Sequence, residues 1–260
     1  MIKARLSAKL DTENGCVVLK LESEDLITGN FKLVRSKYGE NKWQELFNFT
    51  LEDQDPSVYE WKDFIVEQGV KYIYAIQQYN SYGIHSNKTL YTEIIADFDH
   101  MFLLDANKQL KIKFNPKVSS FKDTILETRT NTIGSKYPFI FRNGNVKYKE
   151  FPISGLISCL MDEDFLFMEY FHDNSTNLIS ENIAAERNFK LEVLEWLNNG
   201  EPKIFRSSTE GNYIVRLMNC SLAPVDALGR MLHTFTATAI EIDNYDEETL
   251  MKYGFLATHT

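Results

Sequence analysis

Gly69-Val70-Lys71-Tyr72-Ile73-Tyr74-Ala75-Ile76-Gln77-Gln78-Tyr79-Asn80-Ser81-Tyr82-Gly83 decides the first third of this chain. A glycine-led turn precedes a tyrosine, strict alternation follows, and an Asn-Ser-Tyr-Gly turn closes the run. Side chains alternate faces along a strand, so Tyr72, Tyr74 and Ile76 share one face. A tyrosine just inside a strand that follows such a turn is the mark of a tyrosine corner. Its hydroxyl bonds back to the backbone a few residues upstream and fixes the edge of an antiparallel sandwich. Tyr72 is therefore expected to be buried.

Outward from that strand, the runs Cys16–Leu21, Phe31–Ser36, Glu45–Leu51, Tyr59–Trp61 and Leu90–Ile95 read as its companions. Turn clusters separate them at the short, regular spacing that a sandwich of short strands requires. Trp43 and Trp61 are read as core or edge plugs, and no Cys-Trp-Cys pattern marks an immunoglobulin domain proper. The set resembles a fibronectin type III domain over residues 1–95. Such modules act as adhesive spacers, so the resemblance implies binding or structure in place of turnover.

The whole chain has 260 residues, enough for two domains that each bury a core. Its 18 Phe and 13 Tyr against 12 Gly and 6 Pro favour strands and large packed surfaces. A net charge of −9 argues against nucleic acid, whose phosphates demand a basic face. No apolar run approaches the length of a membrane helix, and no secretory leader is read at Met1-Ile2-Lys3-Ala4-Arg5. Cys16, Cys159 and Cys220 are distant in sequence and read as buried small hydrophobes. The Asn-x-Ser/Thr triplets at Asn48, Asn87, Asn174 and Asn219 are then chance matches in an Asn-rich chain.

Past a boundary near 92–99 the pattern changes. Lys108–Phe114 alternates, with Leu110, Ile112 and Phe114 on one face and lysines on the other. Tyr137–Arg142 and Val146–Phe151 flank Asn143-Gly144-Asn145, a strong short-range hairpin signal. Asp162–Glu181 reads as an acidic and polar excursion. Ala185, Phe189, Val193, Trp196 and Leu197 form one apolar stripe of a helix over 182–198, which Gly200 and Pro202 stop. Lys203–Ser207 and Asn212–Leu217 form a hairpin, Met231–Ile242 a long strand, and Asp246–Tyr253 a short helix with acidic residues in its first turn.

The residues carry no Gly-x-Ser-x-Gly elbow, Walker loop, dinucleotide fingerprint or His-Glu-x-x-His. The five histidines are scattered. Asp97 and Asp99 share one face of an alternating stretch, read as a solvated strand end or linker in preference to a metal site. Asp162, Glu163 and Asp164 lack the alternate-ligand spacing of a calcium loop. No catalytic, metal or cofactor residue is expected.

A second resemblance rests on Asn131-Thr132-Ile133-Gly134-Ser135-Lys136-Tyr137-Pro138-Phe139-Ile140, on Arg142-Asn143-Gly144 and on Phe151-Pro152-Ile153-Ser154-Gly155-Leu156-Ile157-Ser158. It continues through Glu186-Arg187-Asn188-Phe189-Lys190-Leu191, Lys203-Ile204-Phe205-Arg206-Ser207, Arg216-Leu217-Met218 and Leu228-Gly229-Arg230-Met231. This order, over about 97–253, resembles virion proteins of tailed bacteriophages, in particular distal-tail or baseplate components. The fibronectin-like module stands first here, where distal-tail rings carry it last. The resemblance implies a mainly β fold: a fibronectin type III-like sandwich at 1–95 and a tail-type sandwich or split-barrel domain at 96–260, with one packed helix. It implies a structural tail or baseplate subunit that forms or decorates a ring, in contact with copies of itself and with other tail proteins. The location would be the virion tail, assembled in the bacterial cytoplasm, with neither nucleic acid nor membrane bound directly. Tyr72, Phe189, Val193 and Trp196 are the expected structural anchors. Asn143, Gly144, Asp162, Glu163 and Asp164 are the assembly candidates. The competing readings are a carbohydrate- or receptor-binding adhesin, with Tyr79, Tyr82, Tyr170 and Phe171 stacking on host-surface sugars, and an enzyme with an appended fibronectin-like domain.

Overall fold

The computed structural model of the chain describes residues 4–23, 29–51, 58–79, 90–112, 114–131, 133, 136–158, 165–167, 183–225 and 232–256. Among them run β1 (Ala4–Asp11), β2 (Cys16–Ser23), β3 (Gly29–Lys37), β4 (Gln44–Leu51), β5 (Val58–Asp63), β6 (Lys71–Tyr79) and β7 (Leu90–Ile95). Then come β8 (Met101–Leu104), β9 (Lys108–Ile112), β10 (Phe114–Val118), β11 (Lys122–Thr130), β12 (Phe139–Ser158), β13 (Phe165–Phe167) and α1 (Ile183–Asn198). The last elements are β14 (Lys203–Ser207), β15 (Gly211–Pro224), β16 (Leu232–Asp243) and α2 (Glu247–Lys252).

The chain divides into two compact units. The first holds residues 1–100 together with 206–212 and 245–260; the second holds 101–205 and 213–244. Residues 206–212 and 245–260, placed with the second domain when the chain is divided at 95, therefore belong with the first unit.

The first unit is a two-sheet sandwich of the fibronectin type III kind. One sheet is β1-β2-β5 and the other β4-β3-β6-β7, all antiparallel. The alternation seen in the sequence sets the inner faces: Val17, Leu19 and Leu21 of β2 are buried, as are Tyr72, Tyr74 and Ile76 of β6. Gly69 holds φ at +73°, which L side chains rarely adopt. The turn it makes bonds to Ala96 and brings the chain into β6. The Tyr72 hydroxyl accepts the Glu67 N–H at 3.0 Å, closing the corner. α2 begins at Asp246, whose carboxylate accepts the Thr249 N–H at 2.9 Å, and Glu247 and Glu248 stand in its first turn.

The second unit is built on one nine-stranded sheet, in the order β10-β12-β16-β15-β14-β8-β9-β13, with β11 also paired to β12. The sheet curls until strands far apart in that order face one another. Leu110 and Ile112 of β9 share a core with Phe151, Ile153 and Ile157 of β12 and with Val193, Trp196 and Leu197 of α1. Gly155 marks the closest approach, where a Cβ would stand 2.1 Å from Ile112 Cγ2 and 3.2 Å from the Phe114 carbonyl oxygen. The curl does not close into a barrel, so the architecture is mainly β with one packed helix. The amphipathic reading of Lys108–Phe114 does not hold: Gln109 and Lys111 are buried too, and Phe114 starts a new strand with its ring partly in solvent. In β16 the His233, Phe235, Ala237 and Ala239 face is the buried one.

Candidate assembly surface

β12 is twenty residues long and serves two structures in turn. From Glu150 to Ser158 it pairs β16 and is part of the curled sheet. From Phe139 to Glu150 it pairs β11 instead, as a two-stranded ribbon. The Asn143-Gly144 hairpin is thus corrected. The two flanking runs do not pair with each other; both pair with β11, Arg142 opposite Glu127 and Lys147 opposite Ile125. Four residues of β12 face one of β11 at that shift, so Asn143-Gly144-Asn145 lies in an irregular bulge within one strand. A bulge tolerates the same Asn and Gly conformations as a tight turn, which is why the local signal misleads. The β-branched residues Thr124, Ile125, Thr128 and Thr130 mark β11 as a strand in the sequence, but they do not say which strand it pairs with.

The described residues of the chain give the ribbon little cover. Glu127 to Thr130 on β11, Phe139 to Arg142 with Val146 and Lys147 on β12, and Tyr137 and Pro138 just ahead of β12 are all exposed. Among these, Tyr137 is 70%, Phe139 53%, Ile140 60% and Phe141 59% exposed. Phe139 and Phe141 point to one face and Ile140 to the other, since side chains alternate. Two ion pairs bridge the strands, Arg142–Glu127 at 3.6 Å and Lys147–Asp123 at 3.0 Å, and both are open to solvent. Where the ribbon joins the sheet, Lys149 Nζ donates to the Tyr213 hydroxyl at 3.1 Å, and that bond outweighs partial burial and raises the lysine's pKa. Asp162, Glu163 and Asp164, the other assembly candidates, lie outside the described residues, as do Tyr82, Tyr170, Phe171 and Cys159.

The structural anchors fall in two places. Val193 is wholly buried, Trp196 nearly so, and Phe189 packs partly buried against the same core. Trp196 Nε1 donates to Asp105 Oδ2, and Lys203 Nζ lies 4.3 Å from the centre of the Trp196 ring and 3.6 Å from Asp105. Burial lowers the Lys203 pKa, and the Asp105 carboxylate works against that fall. In the first unit, Tyr72 lies beside a buried polar network, its ring centre 5.4 Å from the Arg35 guanidinium carbon. Asp63 accepts Arg35 Nη1 at 2.6 and 2.8 Å, the Tyr74 hydroxyl at 2.9 Å and the Ile65 N–H at 3.0 Å. Burial alone would lower the Arg35 pKa; the Asp63 charge and the neighbouring tyrosines reverse this and raise it. Burial pushes the Tyr72 and Tyr74 hydroxyls well up and that of Tyr245 to about 12.

A cleft of about 210 Å³ opens beside this network, lined by Arg35, Lys42, Glu67, Tyr72, Tyr245 and Glu247 among others. It is smaller than the ~300–1,000 Å³ of ligand pockets. Its rim charges are engaged in pairs, Lys42 with Glu247 at 2.9 Å and Lys37 with Glu67 at 2.7 Å. Asp97 accepts a bond from Gln68 Nε2 at 2.6 Å. Among the described residues no group of His, Cys, Asp and Glu is placed to hold a metal ion. Cys16 and Cys220 are free thiols, the former buried and the latter half-buried. No described helix is long and apolar enough to cross a membrane.

No protein-family model matches this chain, and no curated protein matches it. Among solved structures, the crystal structure of chicken CNTN1 FN1–FN3 domains is similar at 12% identity, with 58% of this chain and 58% of that chain covered and a TM-score of 0.24. A superposition that loose carries no argument, and the fibronectin-like architecture stands on the strand order of the two sheets.

Proposed function

We propose that this chain is a non-catalytic structural subunit of a bacteriophage tail or baseplate, which forms or decorates a ring through contacts between subunits. The observation that carries this reading is the β11–β12 ribbon, which displays Phe139, Ile140 and Phe141 to solvent, with Tyr137 exposed just ahead of it. Large apolar side chains grouped on a surface mark an interaction site. A two-stranded ribbon is at best marginally stable alone in water, so this one has its full stability only when something covers it. The order of motifs over about 97–253 adds the tail context, and the fibronectin-like sandwich suits a spacer or a contact to neighbouring tail proteins. The net charge of −9 fits a component past which DNA moves without being held. On this reading the chain works in the virion tail after assembly in the bacterial cytoplasm, beside copies of itself and other tail proteins. Assays on glycans, peptides and nucleotides are expected to show no turnover.

The test is genomic and then biochemical. Terminase, portal and tape-measure genes are expected beside this one, and purified virions are expected to carry the chain in their tail fraction. A neighbourhood without phage morphogenesis genes, or a particle structure that places the chain in the capsid shell, overturns the assignment.

A further inference from the structure

We infer that the β11–β12 ribbon is an arm whose occupant is a second copy of this chain, and that the second copy encloses the arm on both faces. This rests on the assembly reading above but not on the phage context.

Three observations lead to it. The first is the distribution of apolar side chains. An antiparallel sheet with one face in water alternates apolar and polar residues. The segment Phe139-Ile140-Phe141 is apolar on both faces, and all three residues are exposed. A flat surface would cover one face and leave the other wet, so the arm must be inserted or clasped. The second is area. Tyr137, Phe139, Ile140, Phe141 and Val146, at their observed exposures, present roughly 500 Å² of side-chain surface, most of the ~800 Å² that one partner contributes to a standard interface.

The third observation is charge, and it selects the partner. Residues 122–150 carry six Lys and Arg against three Asp and Glu, a net +3 within a chain of net −9. The rest of the chain therefore carries −12. Two of the arm's three carboxylates are already paired inside it, Glu127 with Arg142 and Asp123 with Lys147, so the positive surplus faces outward. A basic arm on an acidic body is complementary to another copy of the same body. Such a contact is heterologous, one patch meeting a different patch, and it generates rings when its rotation closes. Complementary potentials also steer encounter and fix which partner is accepted.

The experiment uses the full chain. Sedimentation velocity and native mass spectrometry, run from low to high micromolar concentration, are expected to show self-association that weakens as salt is raised. Phe139→Ser with Phe141→Ser is expected to weaken it by about tenfold or more, as the loss of two central aromatic contacts would. Because both rings are exposed, the variant should keep the wild-type circular dichroism spectrum and melting temperature under monomeric conditions. Arg129→Glu with Lys136→Glu should weaken association at low salt and have little effect at high salt. Amide exchange on the wild-type chain gives a readout that needs no variant: arm amides of 127–130, 137 and 139–142 should exchange fast in dilute solution and become protected on concentration. A wild-type chain that stays monomeric with its arm amides unprotected overturns the inference, and so does an aromatic variant that associates like wild type. If the chain is monomeric yet found in the tail fraction of virions, the tail reading stands and the second-copy inference fails.

Discussion

Asp63→Ala should be among the most damaging single substitutions in the first unit. Asp63 and Arg35 are 4% and 5% exposed, and their closest atoms are 2.6 Å apart. Arg35 also donates Nε to Gln44 Oε1 at 2.7 Å and Nη1 to the Ile65 carbonyl at 2.7 Å, so the guanidinium is fastened in place. A guanidinium cannot shed its proton to escape burial. Removal of the carboxylate therefore leaves an uncompensated buried charge, which costs about 3–5 kcal/mol. The Tyr74 hydroxyl and the Ile65 amide lose their acceptor as well, at about 1 kcal/mol each. Against a domain stability of roughly 5–15 kcal/mol, this brings the sandwich close to unfolding. The assay is urea denaturation followed by the fluorescence of Trp43 and Trp61, both in the first unit. Arg35→Met combined with Asp63→Leu should recover much of the loss, because apolar replacement of a whole buried pair is often neutral. An Asp63→Ala cost under about 1 kcal/mol, or costs of the two single changes that simply add, would refute the buried-pair argument.

Tyr72→Phe should cost about 1 kcal/mol, the net worth of its bond to the Glu67 amide, read in the same urea titration. Trp196→Ala should cost about 3–5 kcal/mol for the second unit, and Trp196→Phe less, since it keeps most of the packing and loses only the indole bond to Asp105. Gly155→Ala should destabilise by about 1–3 kcal/mol in a thermal melt, because the new methyl meets a buried Ile112 and the Phe114 backbone. Alkaline pH should destabilise the fold. Burial raises Cys16 to about 12 and Cys220 to about 11 from 9.0, so above pH 9 the unfolded chain loses thiol protons that the folded chain keeps. Stability is thus fully present below pH 9 and falls between there and about 11–12, by about 1.4 kcal/mol per thiol per pH unit at most. Cys16→Ala should flatten part of that fall in melting temperature between pH 8 and 10.5, and a profile unchanged by the substitution would count against the burial of that thiol.

Local chemistry in the sequence was enough for the elements whose signals lie within a few residues. Alternation around Tyr72, the turn at Gly69 and the apolar stripe Phe189-Val193-Trp196 each describe one strand, one turn or one helix face, and the faces they imply are the faces buried in the structure. Strand pairing is a different matter. Period-two alternation says which side chains share a face but not which strand lies alongside. Asn143-Gly144 is compatible with both a turn and a bulge, and only the pairing of β11 with both halves of β12 decided between them. The same holds for Arg35 and Asp63, 28 residues apart, and for Arg206, whose Nη2 donates to the Gly15 carbonyl across 191 residues. Nothing near any of these residues announces its partner. A buried charge is tolerated only where a distant group meets it, and that meeting is set by how the sheets close, which is a property of the whole packed chain.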